Sequence, residues 1–316
     1  MGRLPSVLLL VVILVTTLHV ESASAWEPVR RASKALPILL VEQQRKKTYR
    51  RSHRKKNHVD VASTSLTLTI PRGGGIGPLD PTEVSKFATA WSLLHGTLGR
   101  LCDEATLASY QLPQTSLHRC LVRKTAVGML ALGVVAFSVV FQPTTSILTA
   151  IGNGQVVFLI EMCTAIINNE AALLVGYSEA WNYVWTAILA VVAVGCYYQA
   201  SWSHRLVQIV GILQGVTLGI FTIVNPTAFL LGEEGRPDII FLAQCFAYAT
   251  LSFNIFVVAL ASPGVTPQQA LGYAWIPTLV HCVSCLAFTK EPKELDKRQY
   301  YYTLPASLAI VATLAF

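Results

Sequence analysis

The sequence predicts an all-α fold: a membrane helical bundle of about six or seven transmembrane helices, preceded by a targeting region and one amphipathic helix. Hydrophobic residues make up 53% of the 316 residues and charged residues only 13%, which is typical of membrane proteins. The stretch from about 125 to 289 is nearly continuous apolar sequence, and polar or proline-containing breaks cut it into pieces of membrane-spanning length. We therefore assign residues 119–316 to a multi-pass transmembrane domain.

The apolar pieces are long enough to be membrane-spanning helices. A helix needs about 20 mostly apolar residues to cross the hydrocarbon core. Lipid offers no hydrogen-bond partner to the backbone, so each crossing segment is expected to be helical. Six segments and a seventh, shorter apolar run are predicted at 125–141, 147–167, 182–200, 206–224, 239–261, 271–289 and 304–316.

The first 25 residues predict a secretory signal peptide. Arg3 supplies a basic start, residues 7–15 form a short apolar run, and Ala23-Ser24-Ala25 places small residues where a signal peptidase reads them. A retained, uncleaved signal anchor is the alternative.

Residues 26–78 form a basic region that we expect to be disordered. Residues 26–58 hold eleven Lys or Arg and two Glu, and most of these cations lie in the tract 45–58. Such composition is typical of a transit peptide, and a basic tract can also bind anionic lipid head groups. Because a signal peptide precedes the tract, we expect no nucleic-acid partner.

The junction of these two regions reads Ala23-Ser24-Ala25-Trp26-Glu27-Pro28. It resembles the bipartite presequence of proteins sent to plastids of secondary origin, as in diatoms and related algae, whose pattern is similar to Ala-Ser-Ala-Phe-Ala-Pro. Trp26 takes the place of the aromatic residue after the cut, and Glu27 departs from the usual Ala. The resemblance covers about sixty residues, implies a plastid destination and leaves the rest of the chain unassigned.

Residues 79–118 predict one amphipathic helical segment. Asp80 and Pro81 form a good helix start, and an apolar stripe follows at three- and four-residue spacing. The stripe consists of Val84, Phe87, Ala88, Trp91, Leu94, Leu98 and Leu101. We expect this helix either to lie in the membrane interface or to pack on the bundle.

Basic residues in the predicted connectors indicate an orientation. One side of the membrane receives eight of them and the other side receives Arg205 alone, which is a positive-inside pattern. The eight are Arg119, Arg123, Lys124, Arg236, Lys290, Lys293, Lys297 and Arg298. Signal-peptide cleavage would leave the new amino terminus, and with it the flank at Arg119, in the secretory lumen, the side that basic residues avoid. This conflict favours insertion from the plastid stroma, or an uncleaved anchor.

Polar residues within the second apolar segment are the candidate ligand or ion path, because ionisable groups inside a membrane are costly and commonly functional. Glu161 is the foremost of them, and Thr164 and Asn168 share its helical face. The full candidate set is Glu161, Thr164, Asn168, Asn169 and Glu170.

Two further patterns are open to interpretation. Gly211, Gly215 and Gly219 form a small-residue face that predicts close helix packing, either within the chain or with a second copy or membrane-complex partner. His281, Cys282 and Cys285 are weak candidates for a metal or redox site. Since cysteines in apolar surroundings usually behave as small hydrophobic residues, we predict no metal and no cofactor.

The sequence leaves several activities open. It contains no phosphate loop, and no lysine lies inside the last three apolar segments where a retinal protein would need one. The leading hypothesis is a small-solute or ion carrier in a plastid membrane. The alternatives are a non-transporting assembly or scaffold factor, or an endomembrane protein with an uncleaved signal anchor. Enzymatic activity is unassigned, with the His281 region as the chemistry to test.

Overall fold

The computed structural model describes residues 79–173, 179–229, 236–287 and 298–316. The predicted signal peptide and the basic region up to residue 78 lie outside these ranges. All regular secondary structure in the described ranges is helical, so the predicted all-α fold is confirmed.

Nine helices follow one another along the described chain. They are α1 Pro81–Leu101, α2 Asp103–Ser109, α3 Ser116–Val140, α4 Ile147–Ile167, α5 Glu179–Tyr197, α6 Ser203–Val224, α7 Pro237–Leu260, α8 Pro267–Ala287 and α9 Arg298–Leu314. Six of them, α3 to α8, are long and apolar enough to cross a membrane. The protein is therefore compatible with a multi-pass membrane protein in a lipid bilayer.

Side chains at the helix starts explain several boundaries. The Asp80 carboxylate accepts a hydrogen bond from the Thr82 N–H at 2.9 Å at the start of α1, and the Ser146 hydroxyl accepts one from the Thr149 N–H at 3.1 Å at the start of α4. Such caps satisfy N–H groups that have no partner within the helix. Thr115 caps α3 in the same way.

Helix α3 begins earlier than the sequence predicted. The first apolar segment was placed at 125–141, but the helix starts at Ser116. Arg119, Arg123 and Lys124, predicted to lie in a connector, are therefore on the first turns of a membrane-length helix. Hydropathy missed these turns because the three charged residues lower the local mean hydropathy. The helix accommodates the charges because each of them is paired with an acid from another part of the fold.

Helices α3 and α7 form the centre of the bundle. Helix α3 packs against α1, α4 and α7, and α7 also packs against α6 and α8. Phe253 and Phe256 of α7 and Trp275 of α8 are completely buried. Large apolar side chains on the outside of the candidate spans are more than two-fifths exposed, as expected of a surface that faces lipid. They include Ile160, Val191, Val194, Ile209, Ile212, Val216 and Val283.

The glycine face of α6 packs against α7 of the same chain. A methyl group on Gly211 would lie 2.8 Å from Val258 Cγ2, and one on Gly219 would lie 3.2 Å from Leu251 Cβ. A methyl group on Gly215 would lie 3.4 Å from Asn254 Cβ. The glycine face therefore forms a packing seam within the chain, which was one of the two alternatives that the sequence left open. Because α7 covers this face, it is not available to a second copy or other partner.

Helix α6 changes its winding in the middle of this seam. Residues Gly215–Ile220 form a π-helical segment, in which the Phe221 N–H donates to the Val216 carbonyl five residues earlier. Segments of this kind are rare and occur frequently at functional sites. Gln214 and Leu218, at the edge of and inside this segment, face the candidate site described next.

Candidate functional site

Eight charged side chains from α1, α2, α3, α4 and the turn after α4 meet at one end of the bundle. We call them the ion-pair cluster: Arg100, Asp103, Glu104, Arg119, Arg123, Lys124, Glu161 and Glu170. The four cations and four acids balance in charge. We distinguish inner pairs, which contain Glu161 and Glu170, from outer pairs, in which Arg119 contacts Asp103 and Glu104. Asp103 is itself buried and also lies 3.7 Å from Arg123.

Glu161 is the innermost acid of the cluster. Its side chain is 5% exposed, and its two oxygens lie 3.2 Å from Arg100 Nε and 3.8 Å from Lys124 Nζ. Neither oxygen makes a geometrically acceptable hydrogen bond to any described residue. Both cations thus attract the carboxylate electrostatically while its acceptor positions stay unused, an unusual state for a buried charge.

Glu170 also contacts Lys124, and its carboxylate, unlike that of Glu161, accepts hydrogen bonds. Lys124 Nζ lies 3.2 Å from Glu170 Oε2, and an Arg123 guanidinium nitrogen donates to Glu170 Oε1 at 2.9 Å. The Cys120 thiol donates to the same carboxylate at 3.5 Å. Lys124 therefore bridges two buried acids and lies closer to Glu170 than to Glu161.

In the outer pairs, Arg119 and Glu104 are accessible to solvent. Arg119 contacts Asp103 at 3.1 Å and Glu104 at 2.7 Å, and the Arg119 and Glu104 side chains are 38% and 58% exposed. Exposed pairs are screened by water and salt and contribute little to stability. They connect the short helix α2 to the start of α3, where the completely buried Leu107 of α2 also packs.

A separate buried contact joins α3 to α7. His118 is completely buried, and its Nε2 lies 2.9 Å from an Asp238 carboxylate oxygen that Arg236 also contacts at 2.8 Å. Thr115 Oγ1 approaches the other ring nitrogen of His118 at 2.6 Å. This network ties the first turns of the two central helices together next to the ion-pair cluster.

A small cavity opens beside the inner pairs, between α3, α4, α5, α6 and α7. Its volume is about 40 Å³, and since a water molecule needs about 10–15 Å³ measured in this way, it has room for about three. Four polar side chains line it: Lys124, Glu161, Gln214 and Thr250. The remaining wall is mainly apolar and includes Phe158, Met162, Trp185, Leu189, Leu218 and Phe246.

The polar groups of this central cavity are short of partners. Gln214 and Thr250 are 3% and 0% exposed, and neither Gln214 Oε1 nor Thr250 Oγ1 has a hydrogen-bond partner among the residues that the structure describes. With the two Glu161 oxygens, four buried oxygen atoms around one small cavity are unsatisfied. Buried polar atoms without partners are costly, so the cavity is suited to a small group that donates hydrogen bonds or carries positive charge.

The structure separates the residues predicted for the ion path. Glu161 and Glu170 both reach Lys124, as described above. Thr164 is only half-buried, and its hydroxyl donates to the Ile160 carbonyl at 2.8 Å. Asn168 and Asn169 are exposed in the turn that ends α4, where Asn169 adopts a left-handed conformation with φ of 50°. The predicted stripe from Glu161 to Asn168 is therefore not continuous, because the helix ends at Ile167.

The second candidate group, around His281, is an aromatic enclosure. The His281 ring lies 4.8 Å from the Tyr248 ring and 5.6 Å from the Tyr300 ring, and its Nε2 lies 3.4 Å from Cys245 Sγ. Cys285 Sγ is 3.6 Å from His281 Nδ1, whereas Cys282 makes no such contact. No group of three His, Cys, Asp or Glu side chains in the described ranges is placed to hold a metal ion.

Sequence reasoning missed the cationic half of the site. Lys124 was counted as a connector charge, and neither Arg100 nor Gln214 was included among the candidate site residues. One signal was present: Lys124 directly precedes an uninterrupted apolar run, which is where a buried countercharge for Glu161 is most easily supplied.

Comparisons with known proteins add no identification. A scan against protein families, a search of curated proteins and a search of solved structures each find no match to this chain.

Proposed function

We propose that the protein is a carrier of small solutes or ions in a plastid membrane, with the central cavity as its binding site. One observation carries this proposal: the buried Glu161 carboxylate lies against a cavity in a membrane-type bundle, is paired electrostatically with two cations, and has no hydrogen-bond donor on either oxygen. Intramembrane carboxylates of this kind commonly mark ion and proton paths.

The polar lining indicates the chemical class of the ligand. A carboxylate accepts hydrogen bonds but donates none, and the unsatisfied oxygens of Gln214 and Thr250 add two more acceptor positions. A solute that is cationic, or rich in N–H or O–H donors, satisfies all of them. The volume of about 40 Å³ limits it to an ion or a few heavy atoms.

Lys124 provides the means of exchange. It lies 3.2 Å from Glu170 and 3.8 Å from Glu161, so a small displacement toward Glu170 frees Glu161 for a cation or a donor group. When the site empties, Lys124 returns and keeps Glu161 neutralised. The ion pair thus stabilises the unloaded site and competes with the solute for the same carboxylate.

Transport by reconstituted protein tests this proposal. Proteoliposomes are assayed for fluxes of H⁺, Na⁺, K⁺ and ammonium with ion-sensitive dyes, and of urea and glycerol by osmotic swelling. We expect the wild type to move at least one of these probes and Glu161→Gln to move none, while membrane insertion is unchanged. Glu104→Gln is the matched control, because Glu104 belongs to the exposed outer pairs and lies away from the cavity.

Two outcomes would contradict the proposal that the protein is a carrier. Wild-type flux in Glu161→Gln removes the proposed role of the carboxylate, and a wild type that moves none of the probes removes transport of this solute class. If the wild type transports none of the probes and the Glu161→Gln variant unfolds, the inner pairs have a structural role instead.

The plastid location is supported by the presequence resemblance at Ala23–Pro28. A fluorescent fusion of residues 1–75 is expected to enter plastids, and the full-length fusion is expected to label a plastid membrane. Retention of both fusions in the endomembrane system would favour the uncleaved-anchor alternative.

A further inference from the structure

Helix α1 runs antiparallel to α3 along most of its length. A methyl group on Gly99 would lie 2.8 Å from Ala126 Cβ, and one on Gly133 would lie 2.8 Å from the Leu93 backbone nitrogen. Between these points Gly96 meets Leu130. Residue numbers therefore rise along α3 where they fall along α1. The start of α1 at Pro81 lies beside the carboxyl-terminal end of α3, which is the end away from the ion-pair cluster.

The burial pattern of α1 is inverted relative to that of a water-soluble surface helix. The residues that it buries are small and often polar: Ser85, Ala88, Thr89, Ser92, Gly96 and Gly99. The residues that it exposes are large and apolar: Phe87 47%, Leu94 55%, Leu98 48% and Leu101 75%. A helix in contact with water would bury the second set, whereas a helix in lipid gains from close packing of small residues and exposes its large apolar side chains.

The buried hydroxyls of α1 are satisfied without water. The hydroxyls of Ser85, Thr89 and Ser92 donate to the carbonyls four residues earlier at 2.7, 2.8 and 2.9 Å. No charged residue lies between Lys86 and Arg100. Lys86 is paired with Glu83 at 2.7 Å near one end, and Arg100 contacts the buried Glu161 at the other.

The length of α1 matches the depth of a bilayer. Its 21 residues extend about 31 Å at 1.5 Å per residue, and the hydrocarbon core is about 30 Å thick. The charge-free interval is shorter, but Lys86 can extend its ammonium group toward the head groups and Arg100 is neutralised by Glu161. Average hydropathy overlooks such a helix because its serines, threonines and glycines lower the mean.

We propose that α1 is an additional membrane-spanning helix, with Phe87, Leu94 and Leu98 in contact with lipid acyl chains. Helix α1 lies alongside α3, one of the candidate spans, and its packing on α3 leaves the apolar face outward. Because α1 crosses the membrane before α3, Leu79 and Asp80 at its start lie on the side opposite Arg119, Arg123 and Lys124.

This topology removes the orientation conflict found in the sequence. The conflict arose because the amino terminus and the flank at Arg119 were placed on the same side. With α1 in the membrane, a cleaved amino terminus in a lumen and basic connectors on the opposite side are compatible. Charge then no longer favours insertion from the stroma, because an amino terminus left in the stroma would place Arg119 on the opposite side. The plastid assignment therefore rests on the presequence resemblance alone.

Cysteine accessibility in sealed vesicles tests the additional span. In a background with the two exposed natural cysteines replaced, Cys102→Ser and Cys163→Ser, single cysteines are introduced at exposed positions as Thr82→Cys, Ala105→Cys and Thr144→Cys. Thr144 lies in the connector between α3 and α4 and is the reference. We expect a membrane-impermeant maleimide to label Thr82→Cys from the same side as Thr144→Cys, and Ala105→Cys at least tenfold more from the opposite side.

A fourth variant probes the middle of the helix. Ala90→Cys is exposed in the fold and is expected to resist labelling from both sides until detergent is added, since its surroundings are acyl chains. The proposal is overturned if Thr82→Cys and Ala105→Cys label from one side, as an interfacial helix would, or if Ala90→Cys labels freely in intact vesicles. Leu79→Cys repeats the first test if Thr82→Cys does not insert.

Discussion

The inner and outer ion pairs are built from the same types of residue but differ in their surroundings. Glu161 and Glu170 are 5% and 3% exposed and share Lys124, whereas Glu104 is 58% exposed and pairs with an arginine that is itself accessible. The attraction between opposite charges strengthens as water is removed, but so does the penalty for a charge left alone. Burial, rather than the number of ion pairs, therefore sets how strongly the fold depends on each one.

The largest effect is expected at Lys124. Lys124→Met keeps most of the side-chain volume but deprives two buried acids of a shared cation, and breaking a buried pair typically destabilises by about 3–5 kcal/mol. We expect a loss of this size in the free energy of unfolding, measured by denaturation in mixed detergent micelles.

A double variant separates charge from packing at this position. Lys124→Met combined with Glu161→Gln removes the charge of one of the two acids that lose Lys124, so we expect the double variant to be more stable than Lys124→Met alone. A double variant as unstable as the sum of the two single variants would mean that Lys124 and Glu161 act independently, which contradicts the inner pair.

An intermediate effect is expected at Asp238. Its side chain is 15% exposed and accepts contacts from the buried His118 and the accessible Arg236. Asp238→Ala leaves one ring nitrogen of His118 without its partner, and hydrogen bonds to charged groups contribute about 1.5–3 kcal/mol. The same denaturation assay should give a loss in that range, and a loss equal to that of Lys124→Met would contradict the ordering by burial.

The smallest effect is expected in the outer pairs. Glu104→Gln should leave the unfolding transition unchanged within error, because its partner Arg119 is accessible and keeps Asp103 as a second partner. High salt should likewise leave the stability contributed by the inner pairs intact while screening the outer ones. A clear loss of stability in Glu104→Gln would show that α2 is held mainly by this contact.

Only part of the candidate site could be predicted from the sequence. Glu161 stands out in the sequence as a charge inside an apolar segment, and it is indeed the innermost acid of the cluster. Its partners Arg100 and Lys124 are 61 and 37 positions earlier in the chain, a separation at which sequence patterns carry no pairing information. Asn168 and Asn169 were included because the helical stripe was extended past residue 167, although the apolar segment was predicted to end there and the helix does end at Ile167.

The sequence by itself determined the class of fold and the approximate number and position of the apolar spans, because the requirement for about 20 apolar residues acts on each segment separately. Only the tertiary structure decided which face of each helix is buried: the glycines of α6 meet α7, and α1 turns its small residues inward and Leu94, Leu98 and Leu101 outward. Facing directions and ion-pair partners depend on neighbouring helices that are distant in the chain, and a one-dimensional pattern of hydropathy does not record which helices those are.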